Sequence, residues 1–333
     1  MAMPGRPRED QAGLIADLVA LGGAGAVVVE LPSEIEPRPT GAVRIGVCRS
    51  GSLPAGGLDA FDILLCADPA APRPWVGLPP QRLDDALGAL QRQIEAQPVA
   101  SAVAAQVLRA SLQLTFDDAL ATESLAYSML LASDGFKTWR AATPVRQRDE
   151  AAAPRVLLET GDGAIRIRLN RPDVRNAFDA AMRDTLCEAL AFAAEHPDQP
   201  AVELSGLGSA FSAGGDLDEF GAAGDVGLAH SVRTLRSPAR LLYGVRDRTT
   251  ARLHGACVGA GIEVPAAAGR VTARPGALFR LPEVSMGLIP GAGGTATIPR
   301  RIGRHRAAYL AISSADIDVD TALAWGLIDA VER

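Results

Sequence analysis

The stretch "LHGACVGAGIEVPAAA", residues 253–268, decides how the second half of this 333-residue chain is read. A short apolar strand meets Gly255, Gly259 and Gly261, and an alanine-rich helix start follows. A glycine-rich turn that opens a helix presents unpaired N–H groups at the positive end of a dipole, which suits a developing negative charge. Glu263 stands inside this apolar run, where an unpaired ionised carboxylate is costly. Such a residue is either a partner of the helix dipole or a chemical group.

Two neighbouring phrases share this character. "SAFSAGGDLDEF", residues 209–220, follows the strand expected at Ala201–Leu204, and Gly214-Gly215 lets the backbone turn with its N–H groups free. "FRLPEVSMGLIPGAGGTATIPRRIG", residues 279–303, sets Glu283 beside Pro282 ahead of a third glycine-rich turn. Two donor turns and two isolated carboxylates suit an oxyanion hole with acid/base catalysis on a carbonyl compound. Glycine turns at sheet edges and dipole-paired glutamates are the plainer alternative. Around these phrases the texture runs strand, helix, strand ("RVLLETGDGAIRIRLN", "AFDAAMRDTLCEALAFAAEHP", "AVELSGL"), which implies βα crossovers and a mainly parallel sheet over 155–333.

Upstream, residues 1–78 alternate apolar runs with Pro/Gly breaks. "AGAVVVELP", "GAVRIGVCRSG" and "FDILLCADP" read as strands, with a helix before them at "QAGLIADLVALGG". Residues 79–146 change to three or four helices without a strand. Thr115, followed by Asp117 and Asp118, makes a helix start, because an oxygen cap and early carboxylates satisfy exposed N–H groups. Residues 147–154 belong to a polar linker. The fold class is therefore α/β, with a helical module between two strand-bearing regions.

Other chemistries fit poorly. A net charge of −6 argues against a nucleic-acid footprint or a polybasic membrane patch, and Lys137 is the only lysine. No apolar run has signal-peptide or membrane-spanning form, so a cytoplasmic protein is expected. Cys48, Cys66, Cys187 and Cys257 lie apart in apolar surroundings and read as buried free thiols. The four histidines are not at ligand spacing, so no zinc site is expected, and His254 reads as a packing residue at a strand end. Ile262-Glu263-Val264 interrupt a dinucleotide fingerprint, and no nucleophile-elbow motif is present.

The phrases "LNRPDVRNAFDAAM", "AFSAGGDL", "HGACVGAGIE", "FRLPEVSMGLIPGAGGT" and "ALAWGLIDAV", in this order between residues 169 and 331, resemble the enoyl-CoA hydratase/isomerase (crotonase) superfamily. The resemblance implies a spiral of ββα units, commonly assembled as a homotrimer or a dimer of trimers. It implies an acyl-CoA substrate, with coenzyme A as part of that substrate and no other cofactor. The backbone N–H groups of Gly215 and Ala260 fall on the oxyanion hole, Ala260 where the family prefers glycine. Glu263 and Glu283 fall on the two catalytic glutamates, which favours hydratase chemistry, Glu263 as base and Glu283 as proton donor. Arg175, Ala177, Ala213, Asp216 and Arg146 fall at CoA-contacting places, with Thr143 where a phenylalanine is common. An isomerase, hydrolase or decarboxylase acting on another acyl-CoA, or a non-catalytic scaffold, are the alternatives.

The sequence departs from the family pattern at Pro265, which threatens to tilt Glu263, at Arg280 close to Glu283, and at Gly269 in place of an aspartate. The larger departure is one of order. Family members place closing helices after "GLIDAV", whereas the helical module at 79–146 resembles those helices placed early. A circular permutation, or a fusion after duplication, is the expectation, with an unrelated helical domain as the alternative. Residues 79–146 are then expected to fold back over Glu263 and Glu283. Residues 1–78 have no functional reading.

Overall fold

The computed structural model describes residues 25–32, 41–50, 52–146 and 153–332. The helix expected over residues 11–23 and most of the polar linker lie outside the described residues.

Val and Ile clusters become strands where expected. β1 (Ala26–Leu31), β2 (Val43–Cys48), β3 (Ile63–Cys66) and the short β4 (Val76–Gly77) form a parallel sheet in the order β1-β2-β3-β4. β3 is buried throughout and β2 nearly so, as expected of parallel strands covered on both faces.

Four helices follow: α1 (Pro80–Ala96), α2 (Pro98–Ser111), α3 (Phe116–Leu131) and α4 (Asp134–Ala142). α1 buries Leu83, Leu87, Leu90 and Ile94, which share one face at three- and four-residue spacing. Thr115 caps α3 as expected, its side chain accepting from the Asp118 N–H at 3.2 Å.

The third region is built on a six-stranded sheet. Its strands are β5 (Val156–Gly161), β6 (Ala164–Leu169), β7 (Ala201–Gly206), β8 (Thr249–Leu253), β10 (Arg270–Ala273) and β13 (Ala330–Val331), in the order β13-β10-β8-β7-β6-β5. Only the β5–β6 hairpin is antiparallel. A small second sheet joins β9 (Ala256–Val258), β11 (Leu278–Arg280) and β12 (Ile317–Asp318). The helices are α5 (Ala180–Glu195), α6 (Val226–Leu235), α7 (Pro238–Gly244), α8 (Ala260–Glu263), α9 (Gly294–Ile302), α10 (Arg304–Ser313) and α11 (Val319–Trp325). The mainly parallel sheet is as the strand–helix alternation predicts.

The helical module lies against this region. α2 packs on α9 and α10, and α3 packs on α6 and α9. The Phe116 ring stacks on Tyr243 at 3.8 Å, and Arg300 donates to the Leu114 carbonyl at 2.9 Å. α4 presses so closely on the turn after Glu283 that a side chain at Gly287 would meet the Gly135 backbone at 2.5 Å.

The first sheet is pinned from two sides. Arg109 of α2 grips the buried Asp62 carboxylate with both prongs at 2.6 Å. Arg306 of α10 donates to the carbonyls of Trp75 at 2.9 Å and Ala71 at 3.1 Å. All four cysteines are buried and free. Among the described residues no helix is long and apolar enough to cross a membrane.

Candidate active site

β7 leads into the 209–220 loop and β8 into the turn at Gly255, which brings the two donor turns together. Ser212 bridges to Cys257 in parallel register, and Phe178 bridges to Gly215. Gly214 has φ 90° and lies so near Val258 that a methyl group on it would stand 2.8 Å from that carbonyl. Only glycine permits this backbone and this approach. Gly215 and Ala260 line one cavity of about 220 Å³, and neither N–H donates to a backbone or side-chain acceptor among the described residues. Two unpartnered donors bordering one cavity suit an oxyanion.

Glu263 and Glu283 line the same cavity, 2 % and 6 % exposed. Glu263 closes the single turn of α8, and its Oε2 accepts from the N–H groups of Ala292 at 2.7 Å and Gly294 at 2.9 Å. Burial pushes this carboxyl up to about 7, while those backbone donors pull it back. Glu283 has less support: its own backbone N–H favours the ionised form, but its Oε2 is buried without a hydrogen-bond partner. Burial, reinforced by the charge of Glu263, holds Glu283 well above the ordinary carboxyl range. The two groups thus differ in kind. Two N–H groups favour the ionised form of Glu263 against its burial, whereas burial and the neighbouring charge disfavour the ionised form of Glu283.

Sequence reasoning missed a third carboxyl. Glu123 of α3 lines the cavity and is 2 % exposed. Its Oε1 accepts from the Gly293 N–H, and its Oε2 from the N–H and Oγ1 of Thr295, each at 2.7 Å. Glu123 and Glu263 therefore take alternate N–H groups along the start of α9, Glu263 at 292 and 294, Glu123 at 293 and 295. Burial and the neighbouring Glu263 charge push Glu123 up to about 8. A signal was present in "LATESLAY", where a lone glutamate shares a helix face with Leu120 and Tyr127.

The departures resolve locally. Pro265 ends α8 and starts a 3-10 turn, Pro265–Ala267, without displacing Glu263 from its donors. Arg280 is exposed and 4.0 Å from Asp316, outside the cavity wall. Gly269 is required because a side chain there would stand 2.4 Å from the Arg246 carbonyl oxygen. His254 contacts the Gly208 carbonyl at 3.0 Å and does not line the cavity.

The five residues at expected CoA-contacting places are not in the cavity wall. The Arg175 carbonyl accepts from the Ala213 N–H at 2.8 Å. Arg171 ties the Ala177 carbonyl at 2.7 Å to the Asp216 carboxylate at 3.0 Å. Arg146 is exposed, and its N–H donates to Asp218 at 2.9 Å, on the loop that carries Gly215.

Residues 159–332 match the family described as Enoyl-CoA hydratase/isomerase. A probable enoyl-CoA hydratase of Rhodobacter capsulatus is 37% identical over 171 residues, which cover 51% of this chain and 65% of that protein. A mevalonyl-coenzyme A hydratase of Beauveria bassiana is 29% identical over 173 residues, covering 50% of this chain and 62% of that one. The chain thus spans less than two thirds of the length of these curated relatives. The crystal structure of an enoyl-CoA hydratase from Thermoplasma volcanium superposes with a TM-score of 0.50 at 32% identity, over 54% of this chain and 72% of that chain.

Proposed function

This chain belongs to the enoyl-CoA hydratase/isomerase family, and from that premise we propose that it adds water across the 2,3-double bond of an enoyl-CoA, or removes it in reverse. The observation that carries the reading is one cavity lined by two free backbone donors and by two buried carboxyls in unlike hydrogen-bonding environments. Addition of water to a double bond conjugated with a thioester builds negative charge on the carbonyl oxygen. Donors fixed at that oxygen stabilise the transition state more than the ground state. The N–H groups of Gly215 and Ala260 take this role.

Glu263, held as an anion by Ala292 and Gly294, accepts a proton from water as the oxygen attacks the β-carbon. Glu283, kept neutral, delivers its proton to the α-carbon. The product then carries one hydroxyl and one new C–H bond, and the two carboxyls have exchanged protonation states. Nothing beyond the substrate's own coenzyme A is needed for these steps. Arg175, Ala177, Ala213, Asp216 and Arg146 are the proposed CoA side of the site.

The reading takes residues 79–146 as the family's closing helices, placed ahead of the core by permutation or by fusion. The position of Glu123 and Tyr127 in the cavity wall supports this, because the module completes a site whose chemistry lies in the third region.

Loss of the enoyl-thioester absorbance of crotonyl-CoA, followed with the Glu263→Gln and Glu283→Gln variants as controls, tests the reaction. Turnover by the parent and loss in both variants supports it. A shift of the double bond without hydration would make the chain an isomerase. No reaction with any enoyl-CoA would leave a scaffold.

A further inference from the structure

The cavity wall also contains Arg233 of α6. Its guanidinium lies 4.7 Å over the Tyr127 ring and donates to the Ser124 hydroxyl at 3.1 Å, the Ser124 carbonyl at 3.4 Å and the Ser128 hydroxyl. These partners are all neutral, and Arg233 forms no ion pair among the described residues. The other two cavity arginines differ from it. Arg183 is engaged with both oxygens of Asp184, and Arg236 is exposed. Glu123 is near enough to feel Arg233, but its oxygens are taken by α9 and burial pushes it up to about 8. Its oxygens are therefore not available to pair with the guanidinium.

The guanidinium is half-buried, its Nε and Nη2 are taken by Ser124 and Ser128, and its Nη1 has no partner among the described residues, so a ligand carboxylate would supply the ion pair that Arg233 lacks through a charge-assisted hydrogen bond to Nη1. The place of Arg233 says which part of a ligand it meets. Tyr127 packs against Gly291, where a methyl group would stand 2.4 Å from the ring. Gly291 adjoins Ala292, whose N–H holds Glu263. One aromatic ring therefore separates Arg233 from the reacting end, whereas the phosphates of a CoA ester sit a whole pantetheine arm away from its thioester.

We infer that Arg233 reads the far end of the acyl group, and that the substrate class is a short enoyl-CoA whose chain ends in a carboxylate. This rests on the acyl-CoA reading of the cavity and goes further by naming the acyl class.

The experiment uses the full chain and a matched pair of 2-enoyl-CoA esters of equal length, one ending in a carboxylate and one in a methyl group. The parent is expected to prefer the carboxylate-ended ester in kcat/KM. Arg233→Met is expected to reduce that preference on the order of a hundredfold, the usual scale for removing one partner of a buried charge pair. Arg233→Lys, which keeps the charge and lacks the guanidinium that Ser124 and Ser128 hold in place, should fall between. A parent preference for the methyl-ended ester, or equal losses on both esters in Arg233→Met and Arg233→Lys, overturns the inference. If neither ester reacts, the hydration reading fails. Calorimetry with the two saturated acyl-CoA esters then decides the role of Arg233: a carboxylate preference lost in Arg233→Met upholds it, and equal affinities end it.

Discussion

Glu263 and Glu283 meet over the bare α-carbon of Gly259: a methyl group placed there would stand 2.4 Å from a Glu283 oxygen and 3.7 Å from a Glu263 oxygen. Gly259 also has φ 50°, a left-handed conformation that a side chain disfavours. The glycine keeps open the space between the two carboxyls. Gly259→Ala is therefore expected to displace Glu283 and cost activity well beyond its effect on folding. Steady-state rates on an enoyl-CoA, beside a thermal melt of the same sample, check this. A variant with parent-like kcat/KM would show that the space is not used.

Replacing either glutamate removes a proton-transfer group and leaves the two backbone donors in place. Glu263→Gln and Glu283→Gln are each expected to lower kcat by about 10²–10⁴, with residual activity from the donors alone. Glu283→Gln replaces an acid that is already neutral, so its stability should change little. In Glu263→Gln the amide oxygen can stand where Oε2 accepts from both Ala292 and Gly294, so that variant too should melt close to the parent while losing activity. Parallel kinetics and calorimetric melts separate the two effects.

The pH dependence follows from the unlike environments. Glu263 must be ionised to accept a proton, and burial pushes it up to about 7, so kcat/KM should rise through that region. Glu283 is raised well above the ordinary range and supplies the alkaline limb when it loses its proton. The two limbs belong to the pair rather than to either residue. Stability runs the other way. Glu263 and Glu123 bind protons more tightly folded than unfolded, so their contribution is fully present below about 4.5 and is lost as pH rises through about 7 to 8. The melting temperature of the ligand-free protein should fall over that window, and Glu123→Gln should flatten the fall.

The parts of this site that could be read in the sequence are those in which neighbouring residues carry the signal. Val/Ile runs between turn residues gave β1, β2 and β3, Thr115 gave the start of α3, and glycine turns next to strands gave the two donor turns, while the choice of Gly215 and Ala260 within them came from the family resemblance. Glu263 and Glu283 stood out because a carboxylate in an apolar run needs a reason. Glu123 did not, because its reason lies 170 and 172 residues away, at the N–H groups of Gly293 and Thr295. Gly269 looked like a departure from pattern until the Arg246 carbonyl was found against it. Arg233 was invisible for the same cause: whether an arginine has a counter-charge depends on which helices meet, and α3 and α6 are far apart in the chain.

Glu123 provides the last test, because it joins the early helical module to the base. Its carboxylate holds the N–H groups of Gly293 and Thr295, while those of Ala292 and Gly294 hold Glu263. In Glu123→Gln an amide N–H₂ must face one of these backbone donors, which leaves a buried N–H unpaired at a cost of about 1–3 kcal/mol. The start of α9 should loosen, and Glu263 with it, so kcat should fall while KM changes less. Glu123→Ala should be worse on both counts. Removal of residues 1–146 takes away Glu123, Tyr127 and the α2 and α3 surfaces that cover α9 and α10, so the remaining core should be insoluble or inactive. Adding residues 79–146 back as a separate chain should restore activity only if Glu123 is intact. Full activity of the bare core, or rescue by a module carrying Glu123→Ala, would show that the helices close the fold without serving the site.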